Sequence, residues 1–259
     1  MKNVTFKATN YPNDVTDEEW GKIRGLLPSG NKNMYPKCSL VHAVYIEKTG
    51  FQWLRLLHDY SPYSTIQSFF YLAQERDIWE KTTDTLVHMI HEKKGCKSPP
   101  TNRMIDSQSV NAVAASEKHS IDEGKAVKGR TCHIVVAITG NVLAAVVHAT
   151  NVRDTKSGIE PAKKAFEKYL TIEKFCDSVG YHNSFVQDVM PQLGLGVDIS
   201  KRIALVCAVI QKRWVVKRIF ARMNNSCKLC RGYEITMNSK EAVMFISHLR
   251  TSLLRGICL

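Results

Sequence analysis

Asp106 and Asp177 are two carboxylates whose positions in this sequence could allow them to bind divalent metal ions. Each follows a short apolar run of the kind that forms a strand, so each falls at the expected end of that strand. Ligands and catalytic groups collect at the ends of adjacent strands in an α/β sheet. Two carboxylates there can hold a pair of divalent ions roughly 4 Å apart, which assist phosphodiester cleavage. Strand position alone, however, favours a plain structural role for each aspartate.

The part of the chain that must position these aspartates mixes strands and helices. Thr139-Gly140-Asn141 has the composition of a hairpin turn between two apolar strands. After the hairpin, helical and strand patterns alternate, which predicts an α/β or mixed α+β domain over residues 102–259. The expected strands are 103–106, 125–138, 142–148, 172–176 and a weak one near 196, and the expected helices are 157–169, 183–190, 213–224 and 239–254.

Residues 1–94 have a helical pattern, and residues 95–101 (GCKSPPT) have the composition of a linker. Thr16 and Glu19 have the spacing of a capping box. Ser64 is a candidate cap for a helix that ends near Glu75. Such short helices fit a helix-turn-helix DNA-binding module and a plain helical bundle equally well. The helix from Ser64 is the candidate DNA reader, with dimerisation as an equally ordinary use. Its expected outer polar residues are Ser64, Thr65, Gln67, Ser68 and Gln74.

The 259-residue chain is basic, with a net charge of +12 and a pI near 9.3. A basic protein of this size favours a polyanionic partner, because phosphates gain from neutralisation. No apolar run approaches the roughly 18 residues that cross a bilayer, and the N-terminus lacks a signal-peptide core, so we expect a cytoplasmic protein without a membrane partner. From Ile199 to Tyr233 there is no acidic residue, so this basic segment could contact the DNA backbone or form a solvated helix face; the motifs described next favour DNA. The basic residues there are Lys201, Arg202, Lys212, Arg213, Lys217, Arg218, Arg222, Lys228 and Arg231.

Several sequence blocks resemble the transposases of bacterial insertion sequences, of the kind grouped in insertion-sequence families four and five. Met104–Val110 is similar to the I-D-S-Q-S-V block of these enzymes, and Gly124–Arg130 followed by His133 is similar to G-K-x-V-K-G-R-x-x-H. Each block alone is weak, but they occur in the family's order along nearly the whole chain. The other matching segments are Tyr11-Pro12, Thr16–Trp20, Leu26–Pro28, Thr49–Trp53, Val147–Asp154, Gln211–Val216 and Tyr233-Glu234.

The resemblance implies an RNase H-like catalytic domain preceded by a small helical domain, and a DDE mechanism. Asp106 and Asp177 would be catalytic ligands of Mg²⁺ or Mn²⁺, and water and then a freed 3′-hydroxyl would attack phosphorus directly. The strand with Lys125, Lys128 and Arg130 would lie beside the site, either against DNA phosphate or as an exposed face. The implied partners are the inverted-repeat ends and target DNA, held by a homodimer in a synaptic complex. The implied location is the cytoplasm, in association with the nucleoid.

The sequence departs from the family at the third acidic position. The family pattern W-V-V-E-R corresponds here to Trp214-Val215-Val216-Lys217-Arg218, so Lys217 occupies the catalytic glutamate position. A protonated lysine cannot bind Mg²⁺, and its ammonium would pair with the aspartates and compete with metal. The segment Asp177–Tyr181 is also one residue longer than the family's D-x-G-Y, which would displace the loop beside the second ligand.

Three functions remain open at this point. The chain could be a transposase that cleaves and joins DNA at the ends of its own element, impaired by Lys217. It could be a catalytically silent relative that still binds those ends. It could also be an RNase H-type nuclease, which the N-terminal helical region argues against because a simple nuclease needs no module for end recognition.

Overall fold

The computed structural model describes residues 17–27, 36–56, 60–93, 102–122, 126–152, 157–177, 184–199 and 211–256. The expected linker at 95–101, the capping residue Thr16 and the loop after Asp177 lie outside these residues. Lys125, Lys201 and Arg202 lie outside them as well.

Among the described residues, four α-helices precede the sheet. They are α1 (Asp17–Ile23), α2 (Pro36–Thr49), α3 (Tyr63–Glu75) and α4 (Ile78–Lys93), with a 3-10 turn at Trp53–Arg55. α3 begins one residue before Ser64, with Pro62 as its N-cap, so the expectation that Ser64 caps this helix is wrong. Pro62 provides no side-chain hydrogen bond to the first turn of the helix.

Six strands of the described chain form one mixed sheet. They are β1 (Asn102–Asn111), β2 (Ser120–Asp122), β3 (Val127–Ala137), β4 (Val142–Ala149), β5 (Lys174–Asp177) and β6 (Gly196–Ile199). β1 lies between antiparallel β3 and parallel β5; β6 lies outside β5, and both β4 and β2 pair with β3. This mixed α/β sheet is consistent with the RNase H-like fold that the sequence resemblance implies.

The hairpin turn between β3 and β4 is confirmed. Gly140 has a φ of +84°, a conformation that favours glycine over residues with a side chain. β1, in contrast, does not end at Asp106, as the sequence pattern suggested, but continues to Asn111. The reason is β3, which supplies an unbroken antiparallel ladder from Arg103↔Ala137 to Asn111↔Gly129. Asp106 is therefore held in the middle of a central strand.

Helices cover both faces of this sheet. Alternate residues of one strand point to opposite faces, so Met104 belongs to one hydrophobic cluster and Ile105 to another. The Met104 cluster also contains Phe69 and Trp79, so α3 and α4 share a core with the sheet. The helices after the sheet hairpin are α5 (Ile159–Lys168), α6 (Ser184–Leu193), α7 (Gln211–Met223), α8 (Cys227–Cys230) and α9 (Met237–Gly256). None of the described helices is long and apolar enough to cross a membrane.

α9 covers the outer edge of β4 and satisfies backbone groups that an edge strand leaves open. The Val147 N–H donates to Glu241 Oε1 at 2.9 Å, and the Val142 N–H donates to His248 Nε2 at 3.1 Å. Unpaired edge groups are a template for association with other chains. Two side chains of one helix thus close this edge and fix α9 against the sheet.

Acid should weaken the contact between α9 and β4. Burial lowers the pKa of His248 to about 4 from 6.5, because the charged imidazole loses its hydration. The folded state therefore binds fewer protons than the unfolded chain, and this contribution to stability is full above pH 6.5 and is lost as the pH falls towards 4. Over that interval we expect the unfolding free energy to fall by about 3 kcal/mol more than in His248→Gln.

Urea unfolding of both proteins across this pH range measures the difference. Glutamine keeps an acceptor for the Val142 N–H but does not titrate. Two parallel stability curves would contradict a buried neutral imidazole at this position.

Candidate functional site

Asp106, the first of the two acidic residues that the sequence singles out, has an almost completely buried side chain. It lies in the middle of β1, between β3 and β5, and its side chain is 5 % exposed. One carboxylate oxygen, Oδ1, accepts a hydrogen bond from the backbone N–H of Ser107 at 3.0 Å. A carboxylate with so little water requires further compensation for its charge.

Asp177 is the last residue of β5, the parallel neighbour of β1. The register pairs Asp177 with Ile105, one residue before Asp106. The backbones of the two aspartates therefore lie on adjacent strands, although only Asp177 ends its strand. The side chain of Asp177 lies outside the described part of the chain, so no ligand geometry follows for it.

Lys217 provides the cation for Asp106. Its Nζ lies 2.5 Å from Asp106 Oδ2, and the lysine side chain is 50 % exposed. The sequence of α7 explains the placement, because its apolar residues recur with helical spacing and face the core. These residues are Val216, Ile219, Phe220 and Met223, all buried in the same cluster as Met104. Lys217 lies on the flank of this apolar stripe, over β1, with its ammonium on the carboxylate.

The residues present do not fit a divalent ion at Asp106. Mg²⁺ and Mn²⁺ take oxygen ligands, usually carboxylates, whereas Lys217 contributes a positive charge in contact with the aspartate. In the described ranges no three His, Cys, Asp or Glu side chains come together as a metal-binding group. The ammonium of Lys217 therefore takes the place beside Asp106 that a metal ion would need.

Two polar residues that the sequence analysis did not single out extend the contact between α7 and β1. Gln108 Nε2 donates to Asn224 Oδ1 at 3.2 Å. Gln108 is two residues after Asp106 on β1, and strand alternation gives the two side chains the same face. This period-two spacing within the I-D-S-Q block was a signal that could have identified Gln108.

Arg218 and Arg222 lie one turn apart on α7, and both are partly buried. Within the described chain, Nε of Arg218 and Nη1 of Arg222 have no hydrogen-bond partner. The guanidinium of Arg218 lies over the β3–β4 turn, near Gly140. These two donor nitrogens are buried, so a phosphate would meet the exposed part of each guanidinium group instead.

Arg130, a candidate for DNA contact from its sequence block, is completely buried. Its guanidinium donates to the backbone carbonyls of Glu117 (3.0 Å), Glu234 (2.9 Å) and Thr236 (3.3 Å), and also to that of Ile235. Burial lowers the pKa of Arg130 from its ordinary value. Arg130 thus links the segment after β1 to the segment before α9. Because it is completely buried, it cannot contact a DNA phosphate.

The other candidate cations divide by exposure. Lys228 is buried, where its Nζ donates to Glu234 Oε1 at 2.9 Å, while Lys128 and Arg231 are exposed. The side chains of Lys212 and Arg213 lie outside the described part, as does Lys125. The exposed basic surface beside Asp106 therefore comes mainly from α7.

The proposed reader helix α3 offers fewer polar groups than its sequence suggests. Ser64 and Ser68 are exposed, whereas Thr65 and Gln67 are partly buried. Gln74 Oε1 accepts a hydrogen bond from Ser239 Oγ at 3.3 Å, which ties α3 to α9. Gln74 therefore has a partner within the chain.

No protein-family model matches the chain, and no curated protein matches its sequence. Among solved structures, the chain has a likeness to one described as "Crystal structure of a pre-cleavage Mos1 transpososome". The two sequences are 9 % identical, and the alignment covers 89 % of this chain and 80 % of that chain with a TM-score of 0.25. So low a TM-score assigns no role to any residue, and the site rests on its own geometry.

Replacement of Lys217 by glutamate should create a divalent-ion site. In Lys217→Glu two carboxylates would meet at β1, an arrangement that a divalent cation stabilises. We expect calorimetric titration with Mn²⁺ to show binding in the variant and none in the unchanged protein. At a Mn²⁺ concentration of about 100 times Kd, the variant should gain about 2.7 kcal/mol of stability.

Asp106→Asn combined with Lys217→Glu is the control for this site, because it removes the first ligand and should abolish Mn²⁺ binding. Mn²⁺ binding of equal affinity in the unchanged protein and in Lys217→Glu would contradict the exclusion of metal by Lys217.

Arg130 and Lys128 should differ sharply in stability, although both lie on β3. Arg130→Met removes the donors of one buried and three partly buried hydrogen bonds with backbone carbonyls. It also leaves the completely buried position without its polar contacts, so we expect a loss of about 3 kcal/mol or more. Lys128→Met changes an exposed side chain and should stay within about 0.5 kcal/mol of the original stability. Urea unfolding measures both, and equal losses would argue against a structural role for the Arg130 guanidinium.

Proposed function

We propose that this chain binds DNA as a relative of the DDE transposases and does not cleave it. The observation that carries the proposal is the ion pair of 2.5 Å between Lys217 and Asp106. In this reading, an ammonium of the protein neutralises the first aspartate where the family would use a metal ion. DNA is held, but no group activates water against phosphorus.

DNA as the partner is supported by charge and its distribution. The chain has a net charge of +12, and phosphate contacts by basic residues dominate the affinity of nucleic-acid-binding proteins. The surface that would meet the backbone includes Lys217, Arg218 and Arg222 on α7. The flanking exposed cations Lys128 and Arg231 would extend it.

The target and the assembly follow from the sequence resemblance. The inverted-repeat ends of the chain's own element are the proposed specific sites, and a homodimer would hold two ends together in association with the nucleoid. Residues 1–94 would supply end recognition, through the exposed face of α3 with Ser64 and Ser68. A protein of this kind would compete with active transposases for the same ends.

The direct test compares end binding with strand cleavage. Duplexes of the inverted repeats that flank the gene for this chain are labelled and mixed with protein, first in EDTA and then in Mg²⁺ or Mn²⁺. We expect the unchanged protein to bind these ends in preference to a shuffled duplex and to leave both strands intact. Lys217→Glu should bind them and also nick them when a metal ion is present.

Nicking is read on a denaturing gel, and binding is read by fluorescence anisotropy. Asp106→Asn with Lys217→Glu is the matched variant that should bind without nicking. Nicking by the unchanged protein at the rate of Lys217→Glu would overturn the proposal, as would equal binding to repeat and shuffled duplexes. If neither protein nicks the DNA but both bind the ends, we would assign the loss of cleavage to the loop after Asp177 as well as to Lys217.

A further inference from the structure

The exposed side of α7 presents a continuous stripe next to Asp106. Its members recur every three or four residues, so they lie on one face of the helix. The opposite face is buried against β1, β3 and α9. The exposed stripe consists of Trp214, Lys217 and Ala221, and Asn224 follows them just after the end of the helix.

Trp214 stands out in this stripe because its side chain is 53 % exposed. Tryptophan is highly buried on average in folded proteins, and the apolar residues on the other side of α7 already form the helix's contact with the core. The indole ring therefore offers a flat aromatic surface to solvent, one turn from the ion pair.

Lys217 lies three positions after Trp214, which puts their Cβ atoms about 5–6 Å apart. The contact with Asp106 holds its ammonium over β1 while half of the side chain remains accessible. Ala221 follows on the same stripe and leaves room for a bulky ligand. A fixed cation next to an open aromatic face matches the two parts of a nucleotide, its phosphate and its base.

We propose that Trp214 and Lys217 form a binding site for one unpaired nucleotide at a DNA end. The base stacks on the indole, as bases do on aromatic side chains of proteins that bind single strands. The adjoining phosphate contacts the ammonium of Lys217. A base inside a duplex is covered on both faces by its neighbours, so the site selects DNA with a frayed or single-stranded end. This inference rests on the proposed function as a DNA-binding protein.

Two labelled DNA molecules test the site, a blunt duplex and the same duplex with a short 3′ oligothymidine tail. We expect the unchanged protein to prefer the tailed DNA. Trp214→Ala should lose roughly 5- to 160-fold in affinity for the tailed DNA, the range for one base–aromatic stack. Its affinity for the blunt duplex should change by less than about twofold, because duplex contacts come from the cations.

Trp214→Phe should retain most of the preference, and Leu170→Ala, which changes another exposed apolar residue, should retain all of it. Tryptophan emission should be quenched by the tail in the unchanged protein and not in Trp214→Phe. Equal affinity of the unchanged protein for both DNA molecules, or an unchanged preference in Trp214→Ala, would overturn the nucleotide site and leave DNA binding intact. Failure to bind either DNA would overturn the proposed function and the nucleotide site with it.

Discussion

The carboxylate of Asp106 is almost completely buried at the centre of the sheet and requires a nearby positive charge, which Lys217 on α7 supplies. Asp106 has little water around it, and a buried charge without a partner costs several kcal/mol. Lys217 meets that requirement at 2.5 Å. The same geometry in a metal-dependent nuclease would use a divalent ion and additional acids, so one side chain changes what the site can do.

Neighbouring strands and helices hold Asp106 and Lys217 in position. β3 and β5 fix the backbone of β1, and the apolar stripe of α7 presses the helix onto the sheet. α9 stabilises the outer edge, where Glu241 and His248 accept hydrogen bonds from β4. Arg130 joins the segment after β1 to the segment before α9 through backbone carbonyls. The basic residues of α7 therefore lie on a helix that is packed firmly against the sheet.

The sequence predicts those features that depend on local pattern. The β3–β4 hairpin, α7 and α9 agree with their predicted positions within a few residues, because turn composition and apolar periodicity are properties of short segments. The neighbouring placement of Asp106 and Asp177 in the backbone, in contrast, comes from the parallel pairing of β1 with β5, two strands far apart in the sequence.

Other features depend on partners that are distant in sequence. The sequence pattern suggests that Arg130 and Lys228 are surface cations, but both are buried. The fold brings backbone carbonyls to Arg130 and the carboxylate of Glu234 to Lys228. β1 passes beyond Asp106 because β3 continues to pair with it. The exposure of Trp214 could not be inferred either, since an aromatic residue on a helix usually faces the core.

A crystal structure grown in Mn²⁺ would test the central contact most directly, because manganese scatters anomalously and marks its own position. We expect Lys217 Nζ in contact with the carboxylate of Asp106 and no anomalous peak beside it. An anomalous peak beside Asp106, with the side chain of Lys217 turned away, would contradict the replacement of the metal ion by the ammonium. It would support a metal-dependent reaction at this site instead.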